Sequence, residues 1–460
     1  MTTNNSIIKT DVVVLGAGLT GLTTAYYLHK NNKSFIVLEK QNHVGGVIQS
    51  HQDKGFTHEN GPNTGVIGNT TVVELFEELS GKCNLQIGGK NVSKRYILKH
   101  GQWKHLPMGP VDAVTTPLFT LKDKFRILGE PFRKPGTDPH ETLTGFVKRR
   151  MGQSYLNYAI DPFIIGVYAG DPNYLVPKYA LPKLYNLEQK YGSLIGGSVK
   201  KGFAEKKTEA EKKVSRKTFS FEGGLSSLIN ALYESAEKEN FVTGAKDVVV
   251  AKNEEYLVSY TDKNGDKINI QAANVISTVG AYALSGLFPF IDKTAISKID
   301  NLLYGKVIEV SLGFNHWDGV TLDGFGGLIP SIEKRDILGV LYMSALFPGR
   351  APEGGALLSV FMGGVRHQEL VDKTDEEIKK IIERELKDLM QLQKFNPDLI
   401  YINRHQKAIP QYGAESGERF STIEMLEKQY PGLQIGGNLR GGIGMADRIK
   451  QGKELAERIL

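Results

Sequence analysis

The stretch that decides the fold lies close to the N-terminus and reads Val12-Val13-Val14-Leu15-Gly16-Ala17-Gly18-Leu19-Thr20-Gly21. Its first half is apolar and β-branched, which is typical of the first strand of a buried parallel sheet. Its second half matches the pattern Gly-x-Gly-x-x-Gly, and a helical pattern follows from Leu22 to about Lys30. The stretch therefore predicts a strand, a tight glycine turn and a helix in direct succession.

This turn predicts a dinucleotide-binding site. Gly16 would permit the tight turn, Gly18 would let a pyrophosphate approach the backbone, and Gly21 would let the helix pack closely on the strand. The N-terminal amides of the helix would face the phosphates. A second apolar strand, residues 35–38, leads to Glu39, which stands 18 residues after Gly21. That spacing is close to the one expected of a carboxylate that binds ribose hydroxyls.

Further glycine-rich turns extend the predicted site. One follows the second strand, one lies at 59–65, and one near the C-terminus leads from a strand into the last helix. A helix that starts with small residues offers bare amides to an anion, such as the N1–C2=O edge of a reduced flavin. The predicted cofactor-binding residues are Gly16, Gly18, Leu19, Thr20, Gly21, Glu39, Lys40, Gly45, Gly46, Gly61, Pro62, Asn63, Val248, Gly437, Asn438, Gly442, Ile443 and Gly444.

Length and composition are those of an ordinary globular protein. The chain has 460 residues, 40% of them hydrophobic, with a net charge of +6 that by itself predicts no nucleic-acid partner. A single cysteine, Cys83, excludes a disulfide framework and a cysteine metal site. Residues 1–10 lack a signal pattern, and no apolar run reaches about 18 residues. We therefore expect a cytoplasmic protein without a spanning helix.

The order of patterns predicts an α/β chain, α+β overall, in which one nucleotide-binding domain is interrupted twice. We expect this Rossmann-like domain at 1–85, 206–290 and 405–460. A mostly helical insertion, cut by prolines, is expected at 86–205, and a mixed-sheet substrate domain at 291–404.

Several motifs resemble those of oxygen-dependent protoporphyrinogen oxidases, within the wider group of FAD enzymes related to monoamine oxidases and phytoene desaturases. Beyond the terminal glycine turns, the matching segments are Gly61-Pro62-Asn63-Thr64, Gly166-Val167-Tyr168-Ala169-Gly170-Asp171-Pro172, Phe325-Gly326-Gly327-Leu328-Ile329-Pro330 and Leu346-Phe347-Pro348-Gly349-Arg350-Ala351-Pro352. They stand in the family's order over nearly the whole chain. One departure concerns the double glycine, where many relatives carry flanking arginines and this chain has His43 and Val47.

The resemblance implies FAD as cofactor and oxidation of protoporphyrinogen IX to protoporphyrin IX in three two-electron steps. Dioxygen would be the acceptor and hydrogen peroxide a product. It implies that Arg95 pairs with a propionate, that Leu312, Leu328 and Phe347 enclose the rings, and that the Gly166 carbonyl faces the pyrroles. It also implies that the helical region, as the membrane-associating part, sits on the inner face of the cytoplasmic membrane, and it is compatible with a homodimer.

Hydride transfer to a flavin needs no acid–base pair in the protein, and the sequence offers no catalytic constellation and no metal-ligand spacing. Three alternatives stay open. Coproporphyrinogen III, with four propionates, could be the true substrate. The chain could be another FAD amine oxidase or desaturase. A non-catalytic flavoprotein or tetrapyrrole carrier would bind porphyrin without consuming oxygen.

Overall fold

We describe the protein from a computed structural model. The structure describes residues 7–204 and 208–460, so the predicted end of the insertion, at residues 205 and 206, lies outside the described residues.

The described residues form a mixed α/β structure, whose strands and helices are numbered in chain order. The strands are β1 (Ile8–Leu15), β2 (Phe35–Glu39), β3 (Gln49–Asp53), β4 (Phe56–Asn60), β5 (Gly65–Val66), β6 (Leu85–Ile87), β7 (Arg95–Lys99), β8 (Gln102–His105), β9 (Thr218–Phe221), β10 (Phe241–Thr243), β11 (Lys246–Lys252), β12 (Tyr256–Thr261), β13 (Lys267–Ser277), β14 (Tyr304–Phe314), β15 (Gly326–Leu328), β16 (Ile337–Tyr342), β17 (Ala356–Gly363), β18 (Leu399–Pro410) and β19 (Leu433–Ile435). The helices are α1 (Leu19–Lys30), α2 (Thr70–Glu78), α3 (Pro110–Thr115), α4 (Leu121–Leu128), α5 (Leu143–Arg150), α6 (Gln153–Tyr155), α7 (Asp161–Tyr168), α8 (Pro177–Ala180), α9 (Pro182–Tyr191), α10 (Leu194–Ala204), α11 (Glu209–Lys213), α12 (Ser226–Ser235), α13 (Leu284–Leu287), α14 (Lys293–Asp300), α15 (Met343–Leu346), α16 (Asp375–Leu389), α17 (Ser416–Gln429) and α18 (Met445–Glu457).

The first large sheet has the strand order β10-β2-β1-β13-β12-β11, and β19 pairs with the second half of β13. Strands β10, β2, β1, β13 and β19 run parallel, whereas β11, β12 and β13 form an antiparallel meander. Leu15 lies level with Leu38 on one side and Ser277 on the other, and Ser277 lies level with Ile435. The carboxyl ends of these strands therefore meet at one edge, where ligands of open α/β sheets bind.

The second half of strand β1, residues 12–15, is buried on both faces because alternate residues enter two different cores. Val12 and Val14 pack with α1, α12 and α18, while Val13 and Leu15 pack on the other face with β12, α14 and α17. A strand of this kind needs a continuous apolar sequence, which is why the run at 12–15 predicted it correctly.

The second large sheet has the strand order β18-β14-β17-β16-β15-β7-β8 and is antiparallel except for the β15–β7 pair. Helix α16 covers one face. It begins with a capping box between Thr374 and Glu377, and its Ile378, Ile382 and Leu386, each four residues apart, pack against that face.

The helical region between β8 and β9 comprises α3 to α11 and has its own core around Phe146 and Ile164. The fully buried Arg150 contacts the carboxylates of Glu130 and Glu188 and ties three of its segments together. No helix in the described part of the chain combines the length and the apolar character needed to cross a bilayer.

The sheets differ from the predicted domain limits in two places. The β7–β8 hairpin lies within the limits predicted for the helical insertion, but it pairs with β15 and belongs to the second sheet. Strand β18 runs through the predicted limit at 404/405 and pairs with β14 as far as Pro410. Both differences arise from pairing between segments far apart in sequence, which local patterns do not encode.

Candidate active site

The glycine turn after β1 has the predicted form, and glycine is needed at each of its three positions for a different physical reason. Gly16 has a φ of +98°, and its amide donates to the Leu38 carbonyl at 2.8 Å. Helix α1 begins at Leu19 rather than at Leu22, so Thr20 and Gly21 lie inside it. A Cβ on Gly21 would stand 1.9 Å from the Gly16 oxygen, whereas a Cβ on Gly18 would meet no atom of the described residues within 4 Å. The space beside Gly18 fits a pyrophosphate at the helix N-terminus.

Glu39 lies beside this turn at the end of β2. Its carboxylate is almost fully buried and accepts hydrogen bonds from the Ala17 and Gln41 amides, both at 2.8 Å. These two bonds hold the carboxylate at the carboxyl edge of the sheet. Lys40 follows it and is exposed. The ribose contact of Glu39 stays a prediction.

Val248 lies at the same carboxyl edge of the sheet as Glu39. The amides of Gly244 and Ala245 donate to the carbonyls of Gln41 at 2.7 Å and Glu39 at 2.9 Å, which ties the start of β11 to the end of β2. Val248 itself is half-buried.

The double glycine lies directly over the phosphate turn. The Gly45 amide donates to the Ala17 carbonyl at 2.8 Å, and Gly45 forms a parallel bridge with Gly18. A Cβ on Gly46 would stand 3.5 Å from the Cα of Gly18. The backbone, and not a flanking arginine, therefore closes over the turn. His43, which stands before the pair, is exposed and hydrogen-bonds to Gln49.

The segment Gly61-Pro62-Asn63 connects the nucleotide-binding domain with the second sheet. The Gly61 amide donates to Glu309 Oε2 at 2.7 Å, and Asn63 Nδ2 donates to Glu309 Oε1 at 2.5 Å. Ser359 donates its hydroxyl to Asn63 Oδ1 at 2.7 Å. Both polar atoms of the Asn63 side chain thus bond to groups of the second sheet, and its contact with the cofactor stays a prediction.

Glu309 itself was not identified from the sequence, because nothing local distinguishes one glutamate in an apolar strand. Burial raises the pKa of this carboxyl to about 8. Its nearest basic group, His405, lies 3.9 Å away and has its own pKa lowered by burial. Among the described residues the carboxyl is therefore balanced by two hydrogen-bond donors and by no permanent cation.

The C-terminal turn, residues 436–444, points its carbonyls into the protein. Tyr412 donates its hydroxyl to the carbonyls of Asn438 at 2.7 Å and Gly442 at 3.1 Å, and Arg448 donates to the Arg440 carbonyl at 2.9 Å. By contrast, the amides of Gly441, Gly442 and Ile443 donate to no described residue. Helix α18 follows, with Gly444 at its N-cap.

Such a turn offers free amides to an electron-rich edge, as the N1–C2=O edge of a flavin requires. Gly437 is held differently, since its amide donates to Gln451 Oε1 at 2.7 Å. Together with the open space at Gly18, the residues present fit FAD.

The residues predicted to bind substrate separate into two groups. The structure brings Arg95, Leu328 and Gly166 together. Strands β7 and β15 pair Arg95 with Gly326 and Ile97 with Leu328, and a Cβ on Gly166 of α7 would stand 2.6 Å from the Leu328 side chain. The Arg95 guanidinium lies 5.0 Å from the centre of the Phe325 ring.

For Leu312, the structure does not support the predicted contact with the substrate rings. It pairs with Leu358 across β14 and β17, and both are fully buried in the core under α16. Since successive residues of a strand point to opposite faces, Leu312 lies on the face opposite to Glu309. It cannot enclose a ligand that contacts Leu328.

Phe347 lies in a different buried cluster from Leu328, and its contact with a substrate stays a prediction. It is buried against Phe56 and Leu357, and the Arg350 guanidinium lies 5.6 Å from its ring centre. Arg350 in turn pairs with the buried Glu59 at 2.8 Å. Phe347 therefore packs in the core that joins β4 to the second sheet.

Strand pairing identifies residues that the sequence patterns did not reveal. Directly paired residues of neighbouring strands lie on the same face of a sheet, so the pairing identifies rows of residues that share one face. One row contains Arg95, Gly326, Leu341, Ser359 and Ser311, and the next contains Lys104, Ile97, Leu328, Gly339, Phe361 and Glu309. Both rows lie opposite α16 and join the cationic edge at β7–β8 to the contacts of Asn63. We call them the substrate-facing rows, after the role that we propose for them below.

The fold and these turns define a flavoprotein built from a Rossmann-like domain and a second, mixed sheet. The chain belongs to the family of flavin containing amine oxidoreductases, whose model matches residues 19–460. The protein is accordingly an FAD-dependent oxidoreductase.

The comparisons with individual proteins cover nearly the whole chain. Protoporphyrinogen oxidase 2, chloroplastic/mitochondrial, of Arabidopsis thaliana is 29% identical, over 98% of this chain and 93% of the relative. Coproporphyrinogen III oxidase of Bacillus subtilis (strain 168) is 28% identical, over 97% of each chain. A crystal structure from Exiguobacterium sp. 255-15 has a TM-score of 0.80 at 21% identity and covers 99% of each chain. At that identity the last likeness shows the fold alone.

Proposed function

We propose that the protein oxidises a porphyrinogen to the porphyrin, and that protoporphyrinogen IX is its substrate. The observation that carries this proposal is the composition of the substrate-facing rows. Leu328, Leu341 and Phe361 are half-buried apolar side chains on one face, and Arg95 and Lys104 stand at its outer edge. A flat apolar ring system with charged carboxylates at one end requires this combination.

The number of cations favours protoporphyrinogen over coproporphyrinogen. In the described rows the cationic side chains are Arg95 and Lys104, and the structure gives neither of them a carboxylate partner. Two cations match two propionates, whereas coproporphyrinogen III carries four. Relatives of both kinds match the chain at similar identity, so their names support porphyrinogen oxidation without choosing between the two.

FAD would supply the acceptor for hydride in each of three two-electron steps, with dioxygen as final acceptor and hydrogen peroxide as product. The residues of the chain bind and orient. Arg95 and Lys104 would hold the propionates, and the apolar rows and Gly166 would keep the macrocycle dry and close to the cofactor. The close approach of α7 to Leu328 depends on the missing side chain of Gly166.

One experiment tests this assignment directly. The FAD-loaded protein is mixed anaerobically with protoporphyrinogen IX, with coproporphyrinogen III and with a primary amine, and the flavin absorbance is followed. We expect bleaching by protoporphyrinogen at a rate well above that by coproporphyrinogen, and oxygen uptake on aeration. Bleaching by the amine alone would show that the protein is an amine oxidase. Porphyrin binding without bleaching would show that it is a carrier.

We further propose that the protein contacts the inner face of the cytoplasmic membrane through a surface formed by α3, α4 and the turn at 130–132. We call this surface the apolar surface. Its exposed side chains are Val111, Val114, Leu121, Phe125, Leu128 and Phe132, with Phe125 exposed to 71% and Phe132 to 90%. An exposed surface of this kind on one set of short helices is characteristic of an interfacial anchor.

The partner is an anionic bilayer, because α4 also carries the exposed Lys122 and Arg126.

A further inference from the structure

Arg448 is a buried cation directly behind the C-terminal turn. Its Nη1 donates to Gln451 Oε1 at 2.7 Å and its Nη2 to the Arg440 carbonyl at 2.9 Å, while its buried Nε has no hydrogen-bond partner among the described residues. Within the part of the chain that the structure describes, no carboxylate forms an ion pair with it. Burial lowers the pKa of Arg448, but an arginine keeps its charge at neutral pH even so.

Two contacts connect this charge to the predicted cofactor-binding residues. Gln451 Oε1 accepts from both the Gly437 amide and Arg448, and the Arg440 carbonyl that Arg448 binds lies within the turn. The guanidinium thus binds the Arg440 carbonyl of a turn whose amides at 441–443 donate to no described residue. A charge at this place acts through a medium of low polarity, where its field is weakly screened.

The other charges near the turn do not cancel that of Arg448. Asp447 is exposed in the first turn of α18, where it accepts from the Gly444 amide. The Arg440 side chain is paired with Glu427, and the buried Arg419 has Glu415 at 3.6 Å. The buried surroundings of the turn therefore carry a net positive charge.

We propose that Arg448 tunes the cofactor. Its buried charge favours the negative charge that FAD gains at its N1–C2=O edge on reduction, and so raises the midpoint potential of the bound cofactor. Arg448 is a positioning residue, since it acts through the turn and contacts neither substrate nor reacting atoms. The inference depends on FAD at this turn and not on the identity of the substrate.

The decisive measurement is the two-electron midpoint potential of bound FAD, titrated against reference dyes. Arg448→Gln keeps a hydrogen-bonding side chain and removes the charge. We expect it to shift the reduction equilibrium about tenfold towards oxidised FAD, which is about 30 mV for a two-electron couple. Arg448→Lys keeps the charge and should restore most of the potential.

Lys450→Gln is the control, because it removes a cation of α18 that is exposed to solvent, where water and salt screen its field. It should leave the potential unchanged. An FAD-loaded Arg448→Gln protein with the wild-type potential would overturn the proposal, as would an equal fall in Lys450→Gln.

A second measurement uses the unchanged protein and so does not depend on the folding of a variant. After reduction by dithionite, the bound flavin should have the absorption spectrum of the anionic reduced form at neutral pH and below it. Inorganic sulfite, whose flavin adduct carries the same negative edge, should bind the wild-type protein readily. A neutral reduced spectrum at neutral pH, or no sulfite adduct, would show that the turn does not stabilise this charge.

Discussion

Glu309 Oε1 and Asn63 Nδ2 lie 2.5 Å apart and join the nucleotide-binding domain to the substrate-facing rows. The carboxyl is fully buried on β14, and its second oxygen accepts the Gly61 amide at 2.7 Å. This contact fixes the segment 61–63 against the sheet that carries Leu328 and Phe361. The two halves of the candidate site are therefore positioned through one buried acid.

Replacing Glu309 by Gln should change how stability depends on pH. The pKa of Glu309 rises from 4.5 to about 8 in the folded protein, so the folded state binds its proton more tightly than the unfolded chain. This contribution to stability is full below pH 4.5 and is lost as pH rises through about 8. We expect Glu309→Gln to gain stability relative to wild type over that range, on the order of a few kcal/mol in all.

The measurement is chemical unfolding of both proteins at several pH values. Glu424→Gln, an exposed position on α17, serves as the control and should differ from wild type by a constant amount. A constant difference for Glu309→Gln as well would mean that the carboxyl is ionised throughout.

Gly18→Ala should weaken FAD binding, whereas Gly21→Ala should lower the stability of the fold. An alanine at Gly18 meets no atom of the described residues within 4 Å, so the protein should fold normally and lose affinity for FAD by about tenfold or more. An alanine at Gly21 would stand 1.9 Å from the Gly16 oxygen, and should lower the free energy of unfolding by roughly 1–3 kcal/mol. Calorimetry of the apoprotein and FAD titration separate the two effects. Full retention of FAD by Gly18→Ala would contradict the phosphate assignment.

Arg95→Ala and Lys104→Ala should weaken porphyrinogen binding without loss of FAD. We expect KM to rise about tenfold for Arg95, about 1.4 kcal/mol, and less for the more flexible Lys104. Lys94→Ala is a matched control, since Lys94 neighbours Arg95 on the chain and is already paired with Asp323. Steady-state kinetics and the flavin content of each variant provide the readout. Release of FAD from Arg95→Ala would show that Arg95 belongs to the cofactor site.

Leu328→Ala and Leu312→Ala distinguish the two faces of the second sheet. Leu312 is fully buried, so its truncation should cost roughly 2–5 kcal/mol of stability and leave KM unchanged in the folded fraction. Leu328 is only half-buried on the substrate-facing rows, so its truncation should raise KM at a much smaller cost in stability. A large KM effect of Leu312→Ala would reverse this assignment of faces.

Phe125→Ser and Phe132→Ser should release the protein from membranes. Each change removes an exposed aromatic side chain, worth about 1.5–3 kcal/mol when buried in an apolar phase. We expect the double variant to co-float with vesicles of anionic phospholipid at least about tenfold less than wild type, with unchanged flavin content. Met425→Ser, an exposed apolar residue on α17, controls for general loss of hydrophobicity. Equal flotation of the double variant and wild type would exclude the apolar surface as the anchor.

The sequence by itself determined the nucleotide-binding unit. The run at 12–15, the glycines at 16, 18 and 21, and Glu39 lie within 30 residues, and each requirement there is local: a buried strand, a turn with positive φ, a helix start. The hairpin at 95–105 and helix α16 are local in the same sense, since turn residues and hydrophobic periodicity fix them.

Only the tertiary structure decided which apolar and charged residues face the candidate site. Leu312 and Leu328 look alike in sequence, and the pairing of β14 with β17 and of β15 with β7 places them on opposite faces. Lys104, Phe361, Glu309 and Arg448 carry no local signal. Each acquires its place through contacts with segments far away in the chain, because a strand's register and a side chain's burial are set by the partners against which it packs.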